Sequence, residues 1–194
     1  MLENLKKYKI ILASQSARRQ ELLKGLDIEF EIKTINGLKE TYPTDLQIDK
    51  VPEYLAKQKA DYYMQFLEED TLLITADTIV VADNQLLGKP KNEQEAKNML
   101  QTLSGATHKV ITGICLTTQK KQKIFSTVTK VTFSVLNNNE INYYVKKYQP
   151  YDKAGGYGIQ EWIGFTGVEK IEGSYYNVMG LPVQKIYQIL KKFE

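Results

Sequence analysis

The segment LLITADTIVV, residues 72–81, constrains the fold of this chain more than any other. Leucine, isoleucine, valine and threonine fall on both faces of an extended run over 71–83, which predicts a strand covered on both sides, as in the middle of a sheet flanked by helices. The run carries one violation, Asp77. An isolated carboxylate in apolar surroundings is costly unless it meets a cation, a metal ion or hydrogen-bond donors. Two readings fit it: an aspartate at a strand bulge or edge, or a general base or metal ligand at a functional site.

The remaining pattern builds around that strand. Residues 9–13 (KIILA) read as a short buried strand and 20–24 as a helix stopped by Gly25. A second strand follows at 30–34, then a polar, turn-like stretch over 36–49. Pro52 and Glu53 suit the first turn of a helix that runs to about residue 67, with Val51, Leu55, Tyr62 and Phe66 as its apolar stripe. Asn84 and Gln85 make a turn, 92–103 a helix, and 109–117 with 123–135 a hairpin across a Lys- and Gln-rich turn. A helix over 140–148, a glycine-rich loop over 152–160 and a closing helix carrying Val183, Ile186, Tyr187 and Leu190, with Pro182 at its start, complete the chain. Strands and helices mix without strict βαβ repetition, and the hairpin adds antiparallel pairing. The expected fold is α/β: one domain over 1–194, with a mixed, bent sheet flanked by helices.

Composition narrows the function. With 194 residues, 42% hydrophobic and 25% charged, the chain is an ordinary folded domain. Its strictly apolar runs reach about four residues, whereas a membrane span needs about 20. The opening MLENLKKYKI has no apolar core of signal-peptide length, and the single cysteine, Cys115, excludes an internal disulfide; both lead us to expect a cytoplasmic protein. The 26 Lys and Arg against 23 Asp and Glu leave a net charge of +3, spread along the chain, which argues against a nucleic-acid partner.

Several cations stand where a solvated face does not require them. Lys59 falls inside the helical apolar stripe, either snorkelling to water or aimed inward at an anion. The turn Ser14-Gln15-Ser16-Ala17-Arg18-Arg19 puts two arginines at a helix start, where backbone amides and guanidinium forks suit phosphate oxygens; Ser14 or Ser16 can cap that helix. Gly88-Lys89-Pro90 adds a cation at a rigid corner, and the 152–160 loop carries Lys153 and Gln160. Neither GxGxxG nor GxxxxGK[ST] occurs. His108 has no companion at metal-ligand spacing and reads as a hydrogen-bonded strand residue, while Cys115 reads as inert core. Several cations with the carboxylates Glu40 and Asp77 suit a polyphosphate held with a divalent metal.

Taken in order, ILASQSARRQELL (11–23), Lys59-Ala60, ADTIV (76–80), GKP (88–90), LSGATHKVIT (103–112), DKAGGYGIQ (152–160) and GSYYNVMGLP (173–182) resemble the successive motifs of the Maf proteins, nucleotide pyrophosphatases related in fold to the inosine triphosphatases. The resemblance implies an elongated domain with a central cleft that hydrolyses a nucleoside triphosphate to the monophosphate and pyrophosphate. It implies that Ser14, Arg18, Arg19, Lys59 and Lys89 grip the triphosphate, that Asp77 is the catalytic acceptor, and that Asp77 and Glu40 hold Mg²⁺ or Mn²⁺. Arg18, Thr78 and Gln160 resemble the branch acting on dTTP and UTP, which also implies modified pyrimidine analogues as substrates; relatives that pair imply a homodimer. The alternatives are the same chemistry on a modified purine triphosphate and a non-catalytic nucleotide-binding regulator of cell division. Two departures stand out: Ala17 replaces the usual proline of the first motif, and Glu161-Trp162-Ile163 follows Gln160 where a glycine is usual.

Overall fold

The computed structural model describes residues 2–193. Strand β1 (Lys9–Leu12) pairs in parallel with β2 (Glu31–Ile32) and with β3 (Thr71–Ala82), Leu12 lying opposite both Ile32 and Ile74. The strand order is β2-β1-β3-β5-β6-β7, with β4 (Gln85–Leu87) on β3; β5 is Thr107–Thr117, β6 Gln122–Phe133 and β7 Val168–Glu172. Parallel pairs on β1 and antiparallel pairs at β3–β4 and β6–β7 make the sheet mixed, as expected. The helices are α1 (Ala17–Lys24), α2 (Val51–Met64), α3 (Glu93–Leu103), α4 (Asn138–Tyr148), α5 (Trp162–Gly167), α6 (Tyr175–Met179) and α7 (Val183–Leu190). Among the described residues, no helix is long and apolar enough to cross a membrane.

Contacts divide the chain into two compact units. The first takes the described residues up to Asp77, Thr112–Thr127 and those from Gly180 onward; the second takes Thr78–Ile111 and Val128–Met179. The first unit's core sets Ile11, Ala13, Leu73 and Cys115 against Ala56, Ala60 and Tyr63 of α2. The second gathers Val80, Leu100, Leu103, Val131, Phe133, Ile141 and Tyr144 around His108 and Tyr157.

Local chemistry explains where elements begin and where sequence reading missed them. Helix α1 starts at Ala17, three residues earlier than the pattern predicts, because Ser16 is extended and its carbonyl accepts the first helical bond from Gln20. Ala17-Arg18-Arg19 has no apolar stripe to betray that turn. The turn after β3 is at Asp83 and Asn84, not Asn84 and Gln85: both have positive φ (47° and 58°), as a two-residue hairpin requires, and Gln85 already belongs to β4. Strand β4, helices α5 and α6 and strand β7 are too short to show a period. The buried face of α2 is Val51, Pro52, Leu55, Ala56, Ala60 and Tyr63; the expected stripe member Phe66 lies past the helix end and is 52% exposed. Helix α4 opens with a capping box between Asn137 and Glu140, and Asn92 caps α3 through the Glu95 amide.

Gly113 of β5 lets α2 settle on the sheet. A Cβ there would stand 2.2 Å from the Pro52 carbonyl carbon and 2.4 Å from Glu53 N, all backbone of the first helical turn. Backbone cannot swing aside, so Gly113→Ala is expected to lower stability by about 2 kcal/mol or more, read as a lower urea midpoint with unchanged slope.

Candidate functional site

The strand register places the first motif. Because Leu12 lies opposite Ile74, the chain leaving β1 runs beside residues 75–77, with Ala13 N donating to Ile74 O at 3.0 Å. Ser14 is buried; its Oγ accepts from Ser16 N at 3.2 Å, and its carbonyl accepts from the Gln20 side chain at 3.0 Å. Ser16 holds the N-cap position without a side-chain cap bond. Arg18 and Arg19 therefore stand in the first turn of α1, at the carboxyl end of a parallel strand. In α/β sheets ligands gather at such strand ends.

Arg19 reaches across to β3. Its Nε donates to Gly180 O and its Nη1 to Ala76 O, both at 2.9 Å. Burial pulls its pKa down from the usual guanidinium value, while the negative charge of Asp77 acts in the opposite direction. The expectation made Arg19 a phosphate grip; what the structure shows is a tie between α1, β3 and Gly180.

Helix α2 supplies the cation for Asp77, and the reason is geometric. Leu73, Thr75 and Asp77 alternate along one face of β3, and Ala56, Lys59 and Ala60 share one face of α2. Thr75 Oγ1 donates to Ala56 O at 2.6 Å, fixing helix to strand. One turn further along α2 and two residues further along β3, Lys59 Nζ lies 2.7 Å from Asp77 Oδ1, 3.1 Å from Glu40 Oε2 and 3.4 Å from Ala76 O. The Lys59 and Asp77 side chains are only 13% and 15% exposed, so the ammonium is aimed inward and Asp77 meets a cation, not a sheet edge.

Glu40 comes from the irregular 36–49 stretch, which α2 stitches in place. Tyr63 Oη accepts from Ile35 N, Tyr62 Oη donates to Asn36 O, and the Gln58 amide pairs both ways with the Thr41 backbone. Sequence reading passed over Gln58 and Tyr63 and took Tyr62 only for a stripe residue; tyrosines and a glutamine at helical spacing beside a polar loop were the available signal.

The other predicted residues belong to the second unit. Thr78 follows Asp77 on β3, Lys89 is exposed in the 88–90 corner, and Gln160 is half-buried at the end of the glycine loop. That loop is tied to the corner by Gly155 N donating to Gly88 O at 3.0 Å. Gly155 has φ +71°, and a Cβ on it would strike Val80 at 2.9 Å. Tyr157 anchors the loop below, its hydroxyl 2.7 Å from His108 Nε2. Lys153 is buried against Asp152 at 2.7 Å and Glu161 at 3.0 Å. Glu161 also accepts the Tyr144 hydroxyl, and Trp162 packs edge-on against Tyr143, 4.9 Å between centroids. His108 is thus a hydrogen-bonded strand histidine as expected, held neutral by burial, and Cys115 is buried with its thiol pushed up to about 11, outside the range of a reactive thiolate.

Glu40 and Asp77 converge on one cation. Two carboxylates are a hard-oxygen donor pair of the kind Mg²⁺ or Mn²⁺ takes while completing its shell with water and phosphate oxygens, so the residues fit such an ion. Among the described residues, no set of three or more His, Cys, Asp or Glu side chains could hold a metal by themselves.

A family profile described as "Maf-like protein" matches residues 9–193. The chain is 59% identical over 192 residues to a dTTP/UTP pyrophosphatase of Phocaeicola vulgatus, covering 99% of this chain and 100% of the relative. It is 57% identical over 193 residues to a dTTP/UTP pyrophosphatase of Parabacteroides distasonis, covering 100% of both. Among solved structures, a HAM1 protein from Coxiella burnetii shares the fold, with a TM-score of 0.52 over 95% of this chain and 99% of that one at 17% identity.

Two measurements follow from this geometry. Lys59→Met and Asp77→Asn are expected to be non-additive in urea unfolding, with a coupling of about 1–3 kcal/mol; additivity would mean that the pair does not form in solution. Burial lowers the His108 pKa from 6.5 to about 4, so the unfolded chain binds a proton between those values that the folded chain does not. Stability is then full above pH 6.5 and declines as pH falls towards 4, by about 3 kcal/mol from this group, and His108→Gln flattens that decline in pH-dependent unfolding.

Proposed function

The chain belongs to the Maf family, and we propose that it hydrolyses nucleoside triphosphates between the α and β phosphates, with dTTP, UTP and modified pyrimidine analogues as substrates. The observation that carries this reading is the inward-facing Lys59 ammonium, 2.7 Å from Asp77 and 3.1 Å from Glu40. A buried strand tolerates a carboxylate there because the helix brings it a cation. The names of relatives matched along their whole length support the same activity and the same two substrates.

A nucleoside triphosphate carries about −4, which Arg18, Arg19, Lys59 and Lys89 are suited to offset. Ser14, whose Oγ already accepts from Ser16 N, has its hydroxyl proton to donate to a phosphate oxygen. Glu40 and Asp77 would hold the divalent ion, which when bound supplies Lewis-acid polarisation of the phosphoryl oxygens. Asp77, fixed in position by Lys59, accepts the proton of the water that attacks the α-phosphorus; the bond to the β-phosphate oxygen breaks and pyrophosphate departs. The guanidinium and ammonium groups stabilise the charge gathering on that leaving group. Gln160 reads the base edge through its amide. A single buried, unreactive thiol agrees with a reducing, cytoplasmic setting.

The test is pyrophosphate release from dTTP and UTP with and without Mg²⁺ or Mn²⁺. We expect pyrophosphate as the first product, dependence on the added ion, and a fall in turnover of about 10²-fold or more for Asp77→Asn. Orthophosphate as first product, preference for a purine triphosphate, or full activity of the Asp77→Asn protein would overturn this reading.

A further inference from the structure

The residues around Gln160 form a device that phosphate chemistry does not call for. Glu161 N donates to Gly158 O at 3.0 Å, closing a turn over Gly158, Ile159, Gln160 and Glu161. One buried phenol grips both ends of that turn. The Tyr144 hydroxyl accepts from Gly158 N at 2.9 Å and donates to the Glu161 carboxylate. The other Glu161 oxygen takes the Lys153 ammonium at 3.0 Å, and Lys153 is itself buried. Tyr144 is fully buried on α4 and stacked on Tyr148 at 5.0 Å, so its ring is immobile and only the hydroxyl meets the loop. Burial, reinforced by the Glu161 charge, pushes its pKa well up, keeping the hydroxyl a donor at any working pH.

The same packing explains Gly158. A Cβ there would stand 2.9 Å from the Glu161 carboxyl carbon and 3.0 Å from Lys153 Cε, displacing the charges that hold the turn. What the turn presents is unsatisfied: Gln160 Oε1 is buried and has no hydrogen-bond partner among the described residues. A buried acceptor without a donor is costly, and a donor brought by a ligand removes that cost.

We infer that Tyr144, Glu161 and Lys153 form a clamp that positions Gln160, and through it favours a base whose ring N–H donates to Gln160 Oε1. These are positioning residues, and the inference rests on the pyrophosphatase reading above. It gives a use to Glu161, whose carboxylate bridges the Tyr144 hydroxyl and the Lys153 ammonium. Uracil and thymine carry such an N–H at N3, where cytosine has a lone pair that cannot donate to the Gln160 oxygen.

The test compares pyrophosphate release from UTP and CTP by the wild-type protein and by Tyr144→Phe, Glu161→Ala and Glu161→Gln. The wild type is expected to prefer UTP. Tyr144→Phe and Glu161→Ala should raise KM for UTP about tenfold, the worth of one well-aimed hydrogen bond, with kcat nearly unchanged, and should lower the UTP-over-CTP ratio of kcat/KM by a similar factor. Glu161→Gln, which keeps an oxygen for the Tyr144 hydroxyl, should recover part of that ratio. An unchanged ratio in Tyr144→Phe, an equal loss on both nucleotides, or a wild type indifferent between them overturns the inference. If Glu161→Ala fails to fold, Tyr144→Phe decides alone, since it removes one oxygen and leaves the ring in place. A wild type that releases no pyrophosphate from UTP overturns the activity itself and the clamp's role with it, a different result from an active enzyme whose selectivity ignores Tyr144.

Discussion

The ion pair between Lys59 and Asp77 is the constraint around which the first unit is organised. A carboxylate continuing the apolar row Leu73–Thr75 cannot be left unpaired, so α2 must lie in one register, with the Thr75–Ala56 hydrogen bond one turn before the ammonium reaches its partner. That register depends in turn on Gly113, whose missing side chain admits the first turn of α2. Glu40 joins the pair because Gln58, Tyr62 and Tyr63 of the same helix hold the 35–41 backbone. One helix thus delivers a cation to the strand and a second carboxylate to the cation.

The second unit solves a different problem. A glycine-rich loop has little side-chain surface of its own to bury and would wander, so buried polar groups fix it: His108 holds Tyr157, Tyr144 holds Gly158 and Glu161, and Gly88 O holds Gly155 N. The Tyr144 hydroxyl and Gly88 O find their partners in the loop itself, and His108 does so through Nε2. Within the turn that Tyr144 grips, Gln160 Oε1 is buried without a partner, and that gives the residue functional meaning.

Sequence patterns revealed some parts of this arrangement and concealed others, for physical reasons. The two-sided apolar run of β3 announced a central strand because burial on both faces requires it, and Asp77 stood out against it. Lys59 stood out in the same way within α2, although the stripe around it was drawn one residue off: Tyr62 turns its hydroxyl to Asn36, Tyr63 is the buried one, and Phe66 lies beyond the helix. The periodic pattern of α1 began only at Gln20, because Ala17-Arg18-Arg19 is held by the backbone bond from Gln20 N to Ser16 O and leaves no periodic trace, although Ser16 had already been read as a possible cap. Helices α5 and α6 and strands β4 and β7 were hidden because elements of three to six residues draw their stability from neighbours, not from their own pattern.

By itself the amino-acid order determined the fold class, the central strand, the family and the residue types that chemistry on a polyphosphate needs, since each is written in local period, composition and ordered motifs. Only the tertiary structure decided the pairing: that Lys59 serves Asp77 and Glu40 together, that Arg19 is tied to backbone carbonyls, and that Tyr144 grips both ends of the turn bearing Gln160. Those partners lie 14 to 161 residues apart in sequence, and no local rule relates them, because what brings them together is the burial of apolar faces elsewhere in the chain.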